Sequence, residues 1–434
     1  MNKNRNENAS AKYLMRAWIS PFPEKSVFQI LSKNLIGNNI GNLLFPYGIS
    51  RVLMTGHTTI RTMAISKEIS ERQVQKINET YDAFLIPLAN AFRTGFIDEL
   101  KQTTAFVKKL NIPCIIIGAG AQARLGKEVN NPELESAVRD FINAVLEKSS
   151  LIGLRGEFTA DYLTKMGYIP EKHFTVIGCP SLYLYGEALP VPEPKELSRT
   201  SLVSMNSKMQ LPQKFHDFMF RSMKKFENCC YIPQVIHEIR HMYYQAPIPD
   251  GFVKKIPQNY LLADRTKDPA FPKPISFVDA ATWLSFLEQR EFSFGSRIHG
   301  NIAAILAGIP AFIIVSDERI KELVTYHHIP HLMMQDLDER TDIFDLYENA
   351  DFSQISKYHK KNYEHYVDFL HANNLTTSFE NQEENSILPF DRIKQAHTPL
   401  PALTAYSDAS GPGKLRRDME YNIPKKYLKK LIHK

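Results

Sequence analysis

The segment 292–330, FSFGSRIHGNIAAILAGIPAFIIVSDERIKELVTYHHIP, carries the residue types best suited to chemistry. An apolar run ends at Gly295, Ser296, Arg297, Ile298, His299 and Gly300 follow, and a small-residue helix is expected over Asn301–Ala307. A strand end leading into a helix N-terminus offers free backbone N–H groups and the positive end of a helix dipole to an anion. Arg297 adds a planar fork that fits a phosphate or a carboxylate. His299 adds an imidazole whose ordinary pKa of about 6.5 suits proton transfer near neutral pH. Gly300 and the alanines at 303, 304 and 307 would let the helix lie close to the sheet. The competing assignment is structural: Arg297 paired with a buried carboxylate, and His299 a hydrogen-bonded helix-start residue.

Weaker candidates are spread along the chain. Arg155, in the run RGEF, is placed at a strand end as a second anion ligand or as a surface ion pair with Glu157. Asn38, Asn39 and Asn42 flank Gly41 at a helix start, where they would bond a sugar or cap the helix. Asp317 and Glu318 stand between a strand and a helix, and would touch a nucleotide or sugar or complement the helix N-terminus. Gly118 and Gly120 make a short glycine turn without the full G-x-G-x-x-G fingerprint, which argues against a nicotinamide site. His327, His328 and His331 lack supporting carboxylate or thiol spacing, so no metal site is expected. Cys179 reads as a packing residue.

The elements that would hold these residues follow from hydrophobic periodicity. The runs 83–87, 113–118, 151–154 and 174–177 read as buried strands, separated by amphipathic helices near 97–110, 132–148 and 157–167. After a proline-rich linker at 189–195 the alternation resumes, with strands at 201–205, 229–232, 292–294 and 311–315. The expectation is α/β: two Rossmann-like doubly wound domains facing a cleft. The first spans 26–190 (the acceptor side), after a loose arm at 1–25, and the second spans 191–335. A helical segment at 336–375 would pack back across the first domain. The proline-bearing region 376–434 would be loosely held.

The 434 residues are 43% hydrophobic and 23% charged, which excludes a mostly disordered or fibrous chain. The net charge of +6 resides in the tail 414–434, which holds eight basic and two acidic residues. The remainder is formally neutral, so its charge gives no reason to expect a nucleic-acid partner. No leader-like apolar region and no membrane-spanning run of about 18 apolar residues is seen. Four cysteines without a C-x-x-C pair suit a reducing, cytoplasmic compartment.

The segment 295–330 resembles the signature of the polysaccharide pyruvyl transferase family, in which R-x-H-G follows a strand and leads into A-x-x-x-G-x-P. Here those residues are Arg297, His299, Gly300, Ala304, Gly308 and Pro310. A D-x-R-x-x-E-L run and a following I-P also match, through Asp317, Arg319, Glu322, Leu323, Ile329 and Pro330. NNIGN at 38–42, IGAGAQ at 117–122, LRGEFTADYLTKMG at 154–167 and VIGCPSL at 176–182 are weaker matches. The family often has an acid where Asn42 stands; an amide there supplies no general base.

The resemblance implies transfer of a pyruvyl group from phosphoenolpyruvate, a co-substrate rather than a cofactor, onto two sugar hydroxyls as a cyclic ketal. It implies a fold like the GT-B glycosyltransferase arrangement. Arg297, His299, Gly300 and Arg155 would then bind the donor. His299 would act as general acid or phosphate ligand, and Asn38, Asn42 and Asp317 would meet the acceptor. The acceptor would be a sugar or lipid-linked glycan, and residues 414–434 would touch an anionic membrane surface. Two other readings stay open: a nucleotide-sugar glycosyltransferase on the same architecture, and a non-catalytic glycan-assembly protein.

Overall fold

Runs apolar on every residue, such as AFLIP and AFIIV, suit strands covered on both faces, and such strands build parallel sheets. In the computed structural model, which describes residues 10–65, 69–190, 192, 194–253, 256–262, 271–380 and 386–422, they do so twice. The first domain contains β1 (Ala11–Arg16), β2 (Thr58–Met63), β3 (Ala83–Pro87) and β4 (Cys114–Ile117) in the parallel order β2-β1-β3-β4. A parallel pair, β5 (Ile152–Leu154) and β6 (Phe174–Val176), continues this sheet through a bridge between Ala119 and Leu154.

The second domain contains β7 (Leu202–Asn206), β8 (Asn228–Tyr231), β9 (Lys273–Ser276), β10 (Phe292–Gly295), β11 (Ala311–Val315), β12 (His331–Met333) and β13 (Leu403–Thr404). Their order is β12-β11-β10-β7-β8-β9-β13, with only β13 antiparallel. Read from β7, the six parallel strands have the Rossmann order 3-2-1-4-5-6. The strand order reverses between β7 and β10 here, and between β1 and β3 in the first domain. Ligands in such sheets bind beyond the carboxyl ends of the strands at that reversal.

One hydrophobic cluster runs from first-domain Ile30, Phe45 and Leu182 into second-domain Phe294, Ile298 and Ile320. The long helix Gln354–Ala372 packs on the first sheet, with Tyr366, Phe369 and Leu370 buried among Met15, Leu85 and Ile117.

Two boundaries differ from the sequence reading. The arm at 1–25 is not loose from Ala11 onward, because Ala11–Arg16 pairs on both sides inside the first sheet. Its apolar core is only Tyr13, Leu14 and Met15, between Lys12 and Arg16, too short to show a period. The described part of 376–434 is also docked. Pro389 opens the helix Pro389–Ala396, a position where its missing N–H costs nothing. Arg51 donates from Nε and Nη2 to the two carboxylate oxygens of Asp391, at 3.0 and 2.8 Å. β13 then covers the edge of β9. Within the helix Gly411–Asn422, the Arg417 guanidinium lies 3.9 Å from the Tyr243 ring centroid. Residues 1–9, 191, 193 and 423–434, which belong to the expected arm, linker and basic tail, lie outside the described residues.

Candidate active site

The two strand-order reversals face each other across a cavity of about 340 Å³. The carboxyl end of β1 and the loop after β3 supply Arg16, Trp18, Asn90 and Arg93. Lys208 follows β7, Arg297 follows β10 and Arg319 follows β11. Five cationic side chains thus wall the cavity, and no carboxylate stands among its described walls.

Three of these cations face a carboxylate and two lie near an aromatic ring. Arg297 donates from its backbone N to Asn206 Oδ1 at 2.8 Å and from Nε to the Ser207 carbonyl at 2.9 Å. Its Nη2 lies 3.8 Å from buried Glu238. Arg297 thus faces a buried carboxylate, as the structural assignment has it, and also walls the cavity. Lys208 donates from Nζ to Ser316 Oγ and Asp317 Oδ2, at 2.8 and 2.7 Å, and burial lowers its pKa to about 8. Arg319 Nη2 stands 3.8 Å from the same carboxylate. Arg16 and Arg93 hold their guanidinium carbons 5.7 and 5.4 Å from the Phe96 ring centroid. Burial lowers the pKa of both.

His299 lies in the first turn of the helix Ile298–Leu306, which begins three residues earlier than the sequence suggests. Its ring packs edge-on to Phe45 at 4.8 Å, and its Nε2 is 3.9 Å from Cys179 Sγ. Burial, then Arg155 and Arg319, hold its pKa well below the ordinary histidine value. With only protein groups around it, His299 is neutral at pH 7. Burial therefore disfavours the charged form that a general acid needs.

The first domain reaches His299 through the loop before the helix Leu44–Leu53. Asn39 forms an isolated bridge with Val235, and the Ile40 N–H donates to the Gln234 carbonyl at 3.0 Å. A Cβ on Gly41 would stand 2.8 Å from the Cβ of His299, so a glycine is required at this contact between the lobes. Asn38, Asn39 and Asn42 all wall the cavity, and Asn39 Oδ1 also caps the turn by accepting from the Gly41 N–H at 2.7 Å.

The other expected site residues are placed differently. Asp317 is engaged at both oxygens, Oδ1 by the Ile320 N–H at 2.9 Å and Oδ2 by Lys208. It caps a helix and aligns two cations, which corrects its assignment to the acceptor. Arg155 makes no surface ion pair with Glu157; it is fully buried, its Nε donating to the Gly118 carbonyl at 2.8 Å. Its guanidinium carbon is 4.7 Å from the Phe45 ring centroid, and Nη1 and Nη2 have no partner among the described residues. Burial lowers its pKa to about 10. Gly300 is packed against Gln234 and Asn206. Neither Arg155 nor Gly300 walls the cavity.

The three late histidines serve separate packing contacts. His327 Nε2 accepts from the Cys179 N–H at 2.8 Å, His328 stacks on Tyr358, and His331 bonds the Ile329 carbonyl.

Sequence reasoning missed Arg16, Arg93, Lys208 and Gln234, and it placed no role on Arg319. Gln234 walls the cavity with its Nε2 buried and unpartnered among the described residues. Lys208 had a usable signal, since it follows a recognised strand at its carboxyl end. Arg16 had none, lying in a segment without visible periodicity.

Comparison with known proteins follows the same lines. A putative UDP-N-acetylglucosamine 2-epimerase from Listeria monocytogenes is 12% identical, with 88% of this chain and all of that one covered, at a TM-score of 0.44. A UDP-GlcNAc 2-epimerase from Methanocaldococcus jannaschii, in complex with UDP-GlcNAc and UDP, is 12% identical over 83% of this chain and 99% of that one, also at 0.44. An uncharacterised Klebsiella pneumoniae protein is 13% identical over 75% and 93%, at 0.39. No curated protein matches the sequence. The sequence profile of the family described as Polysaccharide pyruvyl transferase matches residues 9–318, from the strand that carries Arg16 to the turn that holds Asp317. With more than two thirds of its length matched, and the R-x-H-G residues set at a Rossmann strand reversal, this chain belongs to the polysaccharide pyruvyl transferase family.

Proposed function

We propose that the protein transfers the pyruvyl group of phosphoenolpyruvate to two hydroxyls of a sugar in a surface polysaccharide or its lipid-linked precursor, forming a cyclic ketal. The observation that carries this reading is a cavity walled by five cations and one imidazole, without a carboxylate among its described walls. Phosphoenolpyruvate brings a phosphate and a carboxylate on three carbons, so it needs several fixed cations at short range. Lys208, Arg297 and Arg319 are already aligned by Asp317, Glu238 and backbone carbonyls, which lowers the cost of ordering them on binding.

The reaction balances without a further reactant. One proton adds to the vinyl CH2 carbon, and a sugar hydroxyl bonds to the neighbouring carbon. The second hydroxyl then displaces phosphate. The two hydroxyl protons replace the one delivered to carbon and the one that leaves with inorganic phosphate. In this reading His299 moves the proton delivered to carbon. It is neutral beside Arg155 and Arg319, but a bound phosphate dianion would favour its charged form. The donor would thus bring its own acid into the active state.

A donor generated inside the cell suits action at the cytoplasmic face. We place a peripheral contact with anionic membrane at the tail lysines 425, 426, 429, 430 and 434.

The test is thermal stabilisation by phosphoenolpyruvate, with nucleotide diphosphate sugars alongside. A ligand specific to the folded state adds about 2.7 kcal/mol at a hundredfold excess over its dissociation constant. Loss of one charged contact in Arg319→Ala should weaken the response by roughly ten- to a hundredfold in affinity. Stabilisation by a nucleotide sugar and none by phosphoenolpyruvate would replace this reading with glycosyl transfer.

A further inference from the structure

Trp18 has a large aromatic ring left in the open at the mouth of the cavity. It is 47% exposed, whereas the only other tryptophan, Trp283, is fully buried against Phe277. An exposed indole loses the gain of burial, so its place at a concave site asks for an occupant.

The surroundings of Trp18 are rigid. It follows the carboxyl end of β1 by two residues and lies against the loop 34–42. Gly37 has φ +57°, and a Cβ there would stand 2.6 Å from Trp18 Cδ1, so only glycine lets the indole lie there. Asn34 and Asn38 are both left-handed, and Asn34 locks Asn38 by accepting its N–H at 2.9 Å and donating to its Oδ1 at 2.7 Å. Asn42 Nδ2 donates to the Ile36 and Gly37 carbonyls at 3.0 and 2.9 Å, which fixes its amide orientation. The Asn42 Oδ1 acceptor and the Asn38 Nδ2 donor carry no hydrogen bond among the described residues, and both side chains wall the cavity.

An aromatic face beside a free amide acceptor and a free amide donor is a surface for a pyranose ring. The ring's C–H face meets the electron-rich indole, while vicinal hydroxyls meet the amides. A nucleobase would also stack, but it would bring a pyrophosphate with it. A nucleobase on Trp18 would therefore direct that group at the cations that phosphoenolpyruvate needs.

We propose that Trp18, with Asn38 and Asn42, forms the subsite that holds the acceptor sugar. This rests on the pyruvyl-transfer reading for the identity of the acceptor as a sugar, and on the geometry above for its place.

The two tryptophans make the test direct. Methyl β-glucopyranoside, methyl β-galactopyranoside, lactose and uridine diphosphate are titrated against tryptophan emission, with and without phosphoenolpyruvate. Trp18→Phe leaves only buried Trp283 as a reporter and serves as the control. At least one pyranoside should shift or quench the emission of the parent protein and not that of Trp18→Phe. By calorimetry, Trp18→Phe should keep most of the pyranoside affinity. Trp18→Ala should lose on the order of tenfold, and its stabilisation by phosphoenolpyruvate should be intact. No response to any pyranoside, a response to uridine diphosphate alone, or equal affinity in Trp18→Ala overturns the subsite. A pyranoside response without any stabilisation by phosphoenolpyruvate leaves the subsite standing and removes the donor assignment instead, so the two failures are distinguishable.

Discussion

In the proposed reaction, His299 is the side chain whose protonation would set the order of events. Burial and two neighbouring guanidinium groups keep it neutral, and an anion in the cavity acts in the opposite direction. Binding of phosphoenolpyruvate at pH 7 should therefore draw a proton from solution. Calorimetry in buffers of different ionisation enthalpy would measure that uptake, and His299→Gln should abolish most of it while binding persists. Uptake that survives the substitution would remove His299 as the group that takes the proton.

At the scale of elements, the helix Glu318–Tyr326 of the second domain meets the helix Glu157–Lys165 of the first through one buried carboxylate. Glu322 accepts from the Thr159 N–H at 2.9 Å and from its Oγ1 at 3.0 and 2.9 Å. Thr159 Oγ1 in turn accepts from the Ala121 N–H at 2.8 Å, tying the turn after β4 to the contact. Burial raises the Glu322 pKa from 4.5 to about 8. A carboxyl that keeps its proton in the folded state but loses it when unfolded stabilises the fold most below pH 4.5. That contribution declines as pH rises and is gone above about 8. The thermal midpoint of the parent protein should thus fall between those limits relative to Glu322→Gln, which keeps a neutral acceptor at every pH. Parallel pH profiles for the two proteins would show that Glu322 is ionised in the fold.

Over the whole molecule, the chain crosses between domains three times. It leaves the second sheet, lays the helix Gln354–Ala372 on the first, and returns to pair β13 with β9. Removing 386–434 should lower the thermal midpoint sharply. It uncovers the β9 edge and strips the Arg51 fork of Asp391, a loss of roughly 1–3 kcal/mol on its own. It also takes His397 and the Leu400 N–H from buried Asp279. Removing only 423–434 spares all of these contacts. Under the proposed membrane contact, that shorter deletion should abolish co-sedimentation with anionic vesicles. Cutting at 414 would confuse the two effects, because Arg417 is built into the second domain.

The sequence by itself determined what depends on neighbours along the chain. The runs AFLIP and AFIIV are strands because every residue is apolar. R-x-H-G follows a strand and leads into a helix because Gly295 ends the apolar run and small residues follow. Two α/β domains and the family resemblance follow from such local signals. Tertiary structure decided what depends on groups far apart in sequence. Arg16 and Arg319 lie about 300 residues apart, and only the facing of two strand reversals brings them to one cavity. Asp317 reads as an available acid until Lys208, Arg319 and a helix end engage it. Arg155 reads as an anion ligand or a surface ion pair, and His299 as a titrating group, before the lobes bury both. Burial and charge convergence are properties of the packed chain: they set the desolvation and Coulomb energies at the site, and no local pattern of residues contains them.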